Sequence, residues 1–205
     1  MFNRIKRWRT SRGFGVHSPF AFNLITGVLR EYDAHYYAYA EIDSLCPSAR
    51  RSRHVDNFTG LNYAIPDARL LFRLLCRFNP GQIIEVGNGH EVTNLIIERS
   101  IPRALRLRWV TNRKIDYLHD ASTFILINQL RPEILPGVRR MILERIGCPR
   151  GAVVFMLNVY PGHPAYDLWQ ELRAALPAGM DFYNRHVGLI TALPGLPRQS
   201  YVLDF

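Results

Sequence analysis

The chain has 205 residues, 48% of them hydrophobic and 21% charged, and a formal net charge of +9. That length supports one ordinary globular core with an extension, or two small domains at most. No apolar run reaches the ~20 residues a membrane-spanning helix needs, and Met1 to Arg12 has a basic start with neither an apolar signal core nor a cleavage site behind it, so the expectation is a soluble, unprocessed cytoplasmic protein.

Residues 1 to 53 hold nine Lys or Arg against four Asp or Glu, in two clusters: Arg4, Lys6, Arg7, Arg9 and Arg12, then Arg50, Arg51 and Arg53. Arg outnumbers Lys 24 to 2, and guanidinium forks suit phosphate. The first cluster could therefore bind nucleic acid or another polyanion; the plainer alternative is a solvated surface. Within Met1 to Arg12, Phe2, Ile5 and Trp8 are spaced as on one helical face. Ser18-Pro19 is a cap followed by a first-turn proline and predicts a helix from Pro19 to Tyr32, with Phe20, Leu24 and Val28 inward. Tyr36 to Leu45 predicts another, whose aromatics read as packing rather than a stacking platform. Ser48 to Thr59 is polar and turn-rich and reads as a linker. The expected organisation is a basic helical extension and linker over residues 1–60 and an α/β core over 61–205.

The core opens with a periodic helix, Ala68 to Phe78, carrying Leu70, Leu71, Leu74, Leu75 and Phe78 on one side and Arg69, Arg73 and Arg77 on the other. Strand and helix then alternate: Gln82 to Val86, Glu91 to Glu98, Leu105 to Thr111, Thr123 to Ile127, Ile134 to Ile146, Ala152 to Leu157, Pro164 to Leu176. Apolar strands such as FILI and VVFML between amphipathic helices indicate a mostly parallel sheet covered on both faces. Two last strand-like runs, Val187 to Leu193 and Ser200 to Phe205, are joined closely enough to predict an antiparallel hairpin at the sheet edge. The cysteines Cys46, Cys76 and Cys148 lack paired metal-site spacing and read as buried free thiols; no metal is expected.

In such a sheet a ligand site gathers at the carboxyl ends of the strands, beside the point where the winding reverses. The turn after the first strand is Glu85-Val86-Gly87-Asn88-Gly89-His90-Glu91, where the glycines permit a close backbone approach and the following helix offers free amides. This turn resembles the first motif of class I S-adenosylmethionine-dependent methyltransferases, an acid followed by G-x-G-x-G. The chain is similar in particular to bacterial methyltransferase-like proteins that begin with a GVHSPF segment (Gly15 to Phe20 here), continue through a Tyr-rich helix (Tyr36 to Tyr39) and end in D-x-F-x-x-G-L and a final apolar strand (Asp181 to Leu189 carry the corresponding run). The resemblance spans nearly the whole chain. It implies a Rossmann-like methyltransferase-type sheet, S-adenosylmethionine as cofactor, and a cofactor site lined by Glu85, Gly87, Asn88, Gly89, Asn112 and Asn128.

Several departures bear on that implication. Glu91 stands where the motif has its third glycine, Thr111-Asn112 where an acid would take both ribose hydroxyls, and Asn128 and Leu157-Asn158 where the relatives carry acids. Between Asn112 and Thr123 only ten residues remain, too few for the helix, strand and helix that usually supply the third strand. Together these losses imply cofactor binding that is weakened, altered or gone. Glu85 either meets the cofactor or braces the loop. His90, His163 and His17 read as a solvated loop residue, a helix-cap residue and a cap or crevice cover, and no catalytic base is identified. Two functions stay open: a methyltransferase-like protein with weakened or lost cofactor binding, or a non-enzymatic scaffold binding a polyanion or protein through its Arg-rich N-terminus.

Overall fold

The computed structural model describes residues 2–46, 63–111 and 116–205, with side chains from residue 5 onward. Asn112, the linker, and Arg50, Arg51 and Arg53 lie outside the described residues, as does the Arg4 side chain. The elements run α1 (Phe2–Ser11), α2 (Pro19–Leu24) continuing into a π-turn (Ile25–Leu29), α3 (Tyr39–Leu45), α4 (Ile65–Phe78), β1 (Gln82–Val86), α5 (Glu91–Ser100), β2 (Leu105–Trp109), β3 (Thr123–Ile127), α6 (Leu135–Ile146), β4 (Ala152–Met156), α7 (Pro164–Ala175), β5 (Met180–Tyr183), β6 (Gly188–Ala192) and β7 (Gln199–Val202). The fold is a mixed, Rossmann-like α/β fold with one seven-stranded sheet in the order β2-β1-β3-β4-β6-β5-β7. Only β6 runs against its neighbours.

The predicted two-sided burial is what forms. Strands β1, β3, β4 and β6 are buried along their whole length, which their near-continuous apolar runs require. Alternate residues feed two apolar layers. Ile83, Phe124 and Phe155 pack with α2, the π-turn, α3, α4 and α5, whereas Ile84, Ile125 and Val154 pack with α6 and α7. The N-terminal helices thus share one layer with α4 and α5. Arg73 helps fasten them. Predicted on the solvent side of α4, it is instead buried, donating from Nε to the Val28 carbonyl at 2.8 Å and from Nη1 to the Tyr39 hydroxyl at 3.1 Å. Tyr36 and Tyr39 lie tilted or edge-on to each other and to Phe72, with centroids 5.2–6.0 Å apart, which is packing geometry. Cys46 is the buried thiol; Cys76 is exposed on the outer side of α4 and Cys148 half-exposed after α6, so burial was the wrong expectation for those two.

The hairpin is present, with a different pairing. A short strand not foreseen, β5, lies between the two predicted runs, antiparallel to β6 and parallel to β7. The connection from β6 to β7 crosses one intervening strand, about 10 Å, well within reach of residues 193–198. The run from Asp181 to Leu189 builds this corner. Asp181 accepts from Ser200 of β7 and pairs with Arg173 of α7 at 3.2 Å. Phe182 stacks on Tyr201 at 5.2 Å, Asn184 Oδ1 accepts the amides of His186 and Val187 at the turn, and Gly188 leaves room for the Trp169 ring, which a Cβ there would meet at 2.7 Å.

From the same turn His186 reaches back to α4, with Nε2 3.0 Å from Asp67 Oδ2. The hydrogen bond to Asp67 raises the His186 pKa, outweighing the burial that opposes it. A histidine with a raised folded pKa contributes stability that is full below its unfolded value of ~6.5 and is lost as pH rises through the folded value. Asp67→Asn is therefore expected to lower the melting temperature more at about pH 5.5 than at about pH 8. His90 and His163, both lowered first by burial, titrate with the opposite sign but equally in both proteins. Equal losses at the two pH values would refute the pairing.

Candidate functional site: the crevice at the end of strand β1

The winding reverses between β1 and β3, because β2 lies on one side of β1 and β3 on the other. Their carboxyl ends are where a ligand would be expected. Backbone hydrogen bonds continue past both strand ends. Gly87 N–H donates to the Trp109 carbonyl at 2.8 Å, and the Asn128 and Gln129 amides both donate to the Val86 carbonyl, at 3.0 and 3.2 Å. Gly87 has φ +91°, and a Cβ on it would lie 2.6 Å from Gln129 Cβ and 2.9 Å from its amide nitrogen. A glycine is thus demanded there by the neighbouring loop. At Gly89 a Cβ would lie 2.1 Å from Nη2 of Arg108. The close approach this glycine allows is taken by a guanidinium of the protein itself. Asn88 between them is exposed.

Beneath the turn, Glu85 is completely buried on β1. Its Oε1 accepts from the Thr93 hydroxyl of α5 at 2.9 Å and from Asn128 Nδ2 at 2.7 Å. Its Oε2 accepts from Arg106 Nη2 at 2.7 Å and from Arg108 Nε at 3.1 Å. Four donors on two oxygens saturate a carboxylate. Two cations on one anion leave the cluster locally positive, and both arginines also donate to Asn94 Oδ1 on α5. Asn128 Oδ1 accepts from Tyr63, which is fully buried at 2.7 Å. Burial, then the charges of Glu85 and Asp67, raise the Tyr63 pKa well above the ordinary phenol value, so it stays a protonated donor.

Of the sequence-predicted site residues, the structure brings Glu85 and Asn128 into direct contact, places Gly87 and Gly89 above them, and turns Asn88 to solvent. His90 caps α5, its backbone N–H donating to Thr93 Oγ1 at 3.0 Å; its pKa is lowered, first by burial. Glu91 is exposed in the first turn of α5, where a negative charge meets the positive end of the helix. His163 Nδ1 accepts from the Ala165 amide at 3.1 Å, the cap role expected of it. His17 is exposed, and Ser18 caps α2. Asn158, after β4, holds a left-handed backbone with φ 60°.

The residues that sequence reasoning missed are Arg106, Arg108, Thr93, Asn94 and Tyr63. A signal for two of them exists: in Leu105-Arg106-Leu107-Arg108 the period of two puts both guanidinium groups on one face of β2. The register that sets Arg108 opposite Glu85 is visible only in the sheet. Among the described residues no group of three or more His, Cys, Asp or Glu side chains converges as metal ligands would. Neither a scan against protein-family models nor a search of curated proteins returns a match to this chain, so nothing in them identifies a methyltransferase family.

Proposed function

We propose that the chain is a methyltransferase-like scaffold whose cofactor crevice has become an internal brace, and that its role is binding rather than methyl transfer. The observation that carries this reading is the saturated carboxylate of Glu85, with Arg108 lying over Gly89. For S-adenosylmethionine to use Glu85, Gly87, Asn88, Gly89 and Asn128, the Arg108 side chain would have to leave both Glu85 and the turn. Any cofactor amine would then compete with the three donors that remain on Glu85. The short β2–β3 connection supports the same reading, since its described residues hold neither a helix nor a strand that could shape a nucleoside pocket.

Titration calorimetry and thermal shift with S-adenosylmethionine and S-adenosylhomocysteine test it, with no heat and no shift expected at millimolar ligand. A saturable heat would overturn the proposal. Arg108→Ala sharpens the result: a site merely covered by that side chain would gain binding, whereas one rebuilt as a brace stays silent.

A further inference from the structure

The first 30 residues contain Arg4, Lys6, Arg7, Arg9, Arg12 and Arg30 and no Asp or Glu. Helix α1 is attached to the body by its polar side. Arg7 pairs with Asp204 at 2.7 Å, the Asp204 amide donates to Ser11 Oγ at 2.7 Å, and Arg30 donates to the Ser11 carbonyl at 3.2 Å. Ser11 is buried, while Ile5 and Trp8 on the other side are 56% and 48% exposed. A surface helix ordinarily docks its apolar face and shows its polar one; here the orientation is reversed.

The displayed apolar surface continues beyond the helix. Phe14, in the turn that leaves α1, and Phe22 on α2 are exposed, and a Cβ on Gly13 would meet the Phe22 ring at 2.5 Å, so that ring lies against the same turn. Cations sit among these side chains. The Arg12 guanidinium is 4.0 Å from the Trp8 ring centroid and that of Arg9 5.9 Å from the Phe14 centroid. No carboxylate among the described residues pairs with Lys6, Arg9 or Arg12.

Large apolar side chains interleaved with unneutralised cations on a short surface helix match a lipid–water interface, where rings and aliphatic chains enter the acyl boundary and cations meet phosphates. A nucleic acid would use the cations and could stack on rings, but Ile5 offers no ring and one face of Trp8 is covered by Arg12. We propose that residues 5–22 form an interfacial anchor for an anionic phospholipid surface, with Ile5, Trp8, Phe14 and Phe22 inserting and Lys6, Arg9 and Arg12 engaging the headgroups. No helix among the described residues is long and apolar enough to cross a membrane, so the anchor lies in the interface plane. This inference is independent of the crevice, and cofactor titrations leave it untouched.

The test uses the full chain with vesicles of phosphatidylcholine, alone or mixed with phosphatidylglycerol. Trp8 is a built-in reporter, because Trp109 and Trp169 are buried. The expected result is co-sedimentation with the anionic vesicles only, lost at high salt, together with a blue shift of tryptophan emission that Trp8→Phe abolishes while binding persists. Arg9→Gln and Arg12→Gln should each weaken partitioning roughly fivefold, and Ile5→Ser about tenfold, with unchanged melting temperatures. Absence of binding at low salt overturns the proposal. So does binding without a blue shift or indifferent to Ile5→Ser, which would be charge adsorption alone. Preferential binding of single-stranded RNA in competition with vesicles would replace the lipid surface with a nucleic acid.

Discussion

Glu85→Ala is expected to cost about 3–5 kcal/mol of folding stability, a large part of the ~5–15 kcal/mol that holds a domain together. The carboxylate is fully buried and takes donors from α5, from β2 and from the loop after β3, so its loss strands polar groups on three elements at once. Thr93 and Asn128 are themselves buried and cannot turn to water. Arg106 and Arg108, whose side chains are 28% and 41% exposed, can recover part of their solvation, and this places the cost toward the lower end of that range. Glu85→Gln should fall between the parent and alanine, since it keeps the shape but turns an amide toward donors. Urea unfolding followed through Trp109, whose strand the network anchors, measures both. A loss under about 1 kcal/mol for alanine would show that Glu85 is not a brace, and would return it to the role of a ligand-facing acid.

The second large effect is expected at Arg145, a guanidinium with no measurable exposure on α6. It donates to the His119 carbonyl at 2.8 Å, the Ala121 carbonyl at 2.9 Å and Thr123 Oγ1 at 2.6 Å, and sits 5.5 Å from the Tyr117 ring centroid. Gln82 grips the same segment from β1, exchanging hydrogen bonds with Leu118 at 2.6 and 2.9 Å. The described part of the short passage into β3, which as expected from its length is too short for a helix-strand-helix unit, is thus held by side chains from α6 and β1. Arg145→Met keeps length and apolar bulk but removes all three donors, and should cost about 2–4 kcal/mol. Arg145→Lys should recover little, because one ammonium cannot reach three acceptors in a planar fan. Faster amide exchange across residues 116–123 should accompany the loss. An unchanged exchange pattern would mean that the loop is held by Gln82 alone.

Both sites show where sequence information stops. The apolar runs FILI and VVFM and the Pro-led periodic helices announce the sheet and its covering layers, because each is a local pattern with one physical solution. The last sheet corner was less legible. Met180 to Tyr183 is only four residues and Asp181 interrupts its apolar character; it becomes a strand because β6 and β7 offer an edge on either side. Helix α3 begins at Tyr39 rather than Tyr36, since Tyr36 and Tyr37 are drawn off the helix path onto Phe72. Likewise the helix predicted to reach Tyr32 stays α-helical only to Leu24, then widens into a π-turn whose Arg30 amide bonds the Ile25 carbonyl. In the crevice, Glu85 and Asn128 could be placed because strand ends are easily found. What they touch depends on strand register and on Tyr63, 65 residues from Asn128, and no local pattern carries that.

Strand β2 is also terminal in the sheet, with one backbone edge unpaired by any other strand among the described residues. Open edges recruit strands from other molecules, and proteins commonly guard them with charge. On β2 the guards are Arg106 and Arg108, the same two side chains that neutralise Glu85. One pair of residues therefore serves the interior and the edge at once, so replacing both with apolar residues would leave the Glu85 carboxylate unpaired and strip the charge from the open edge in the same step.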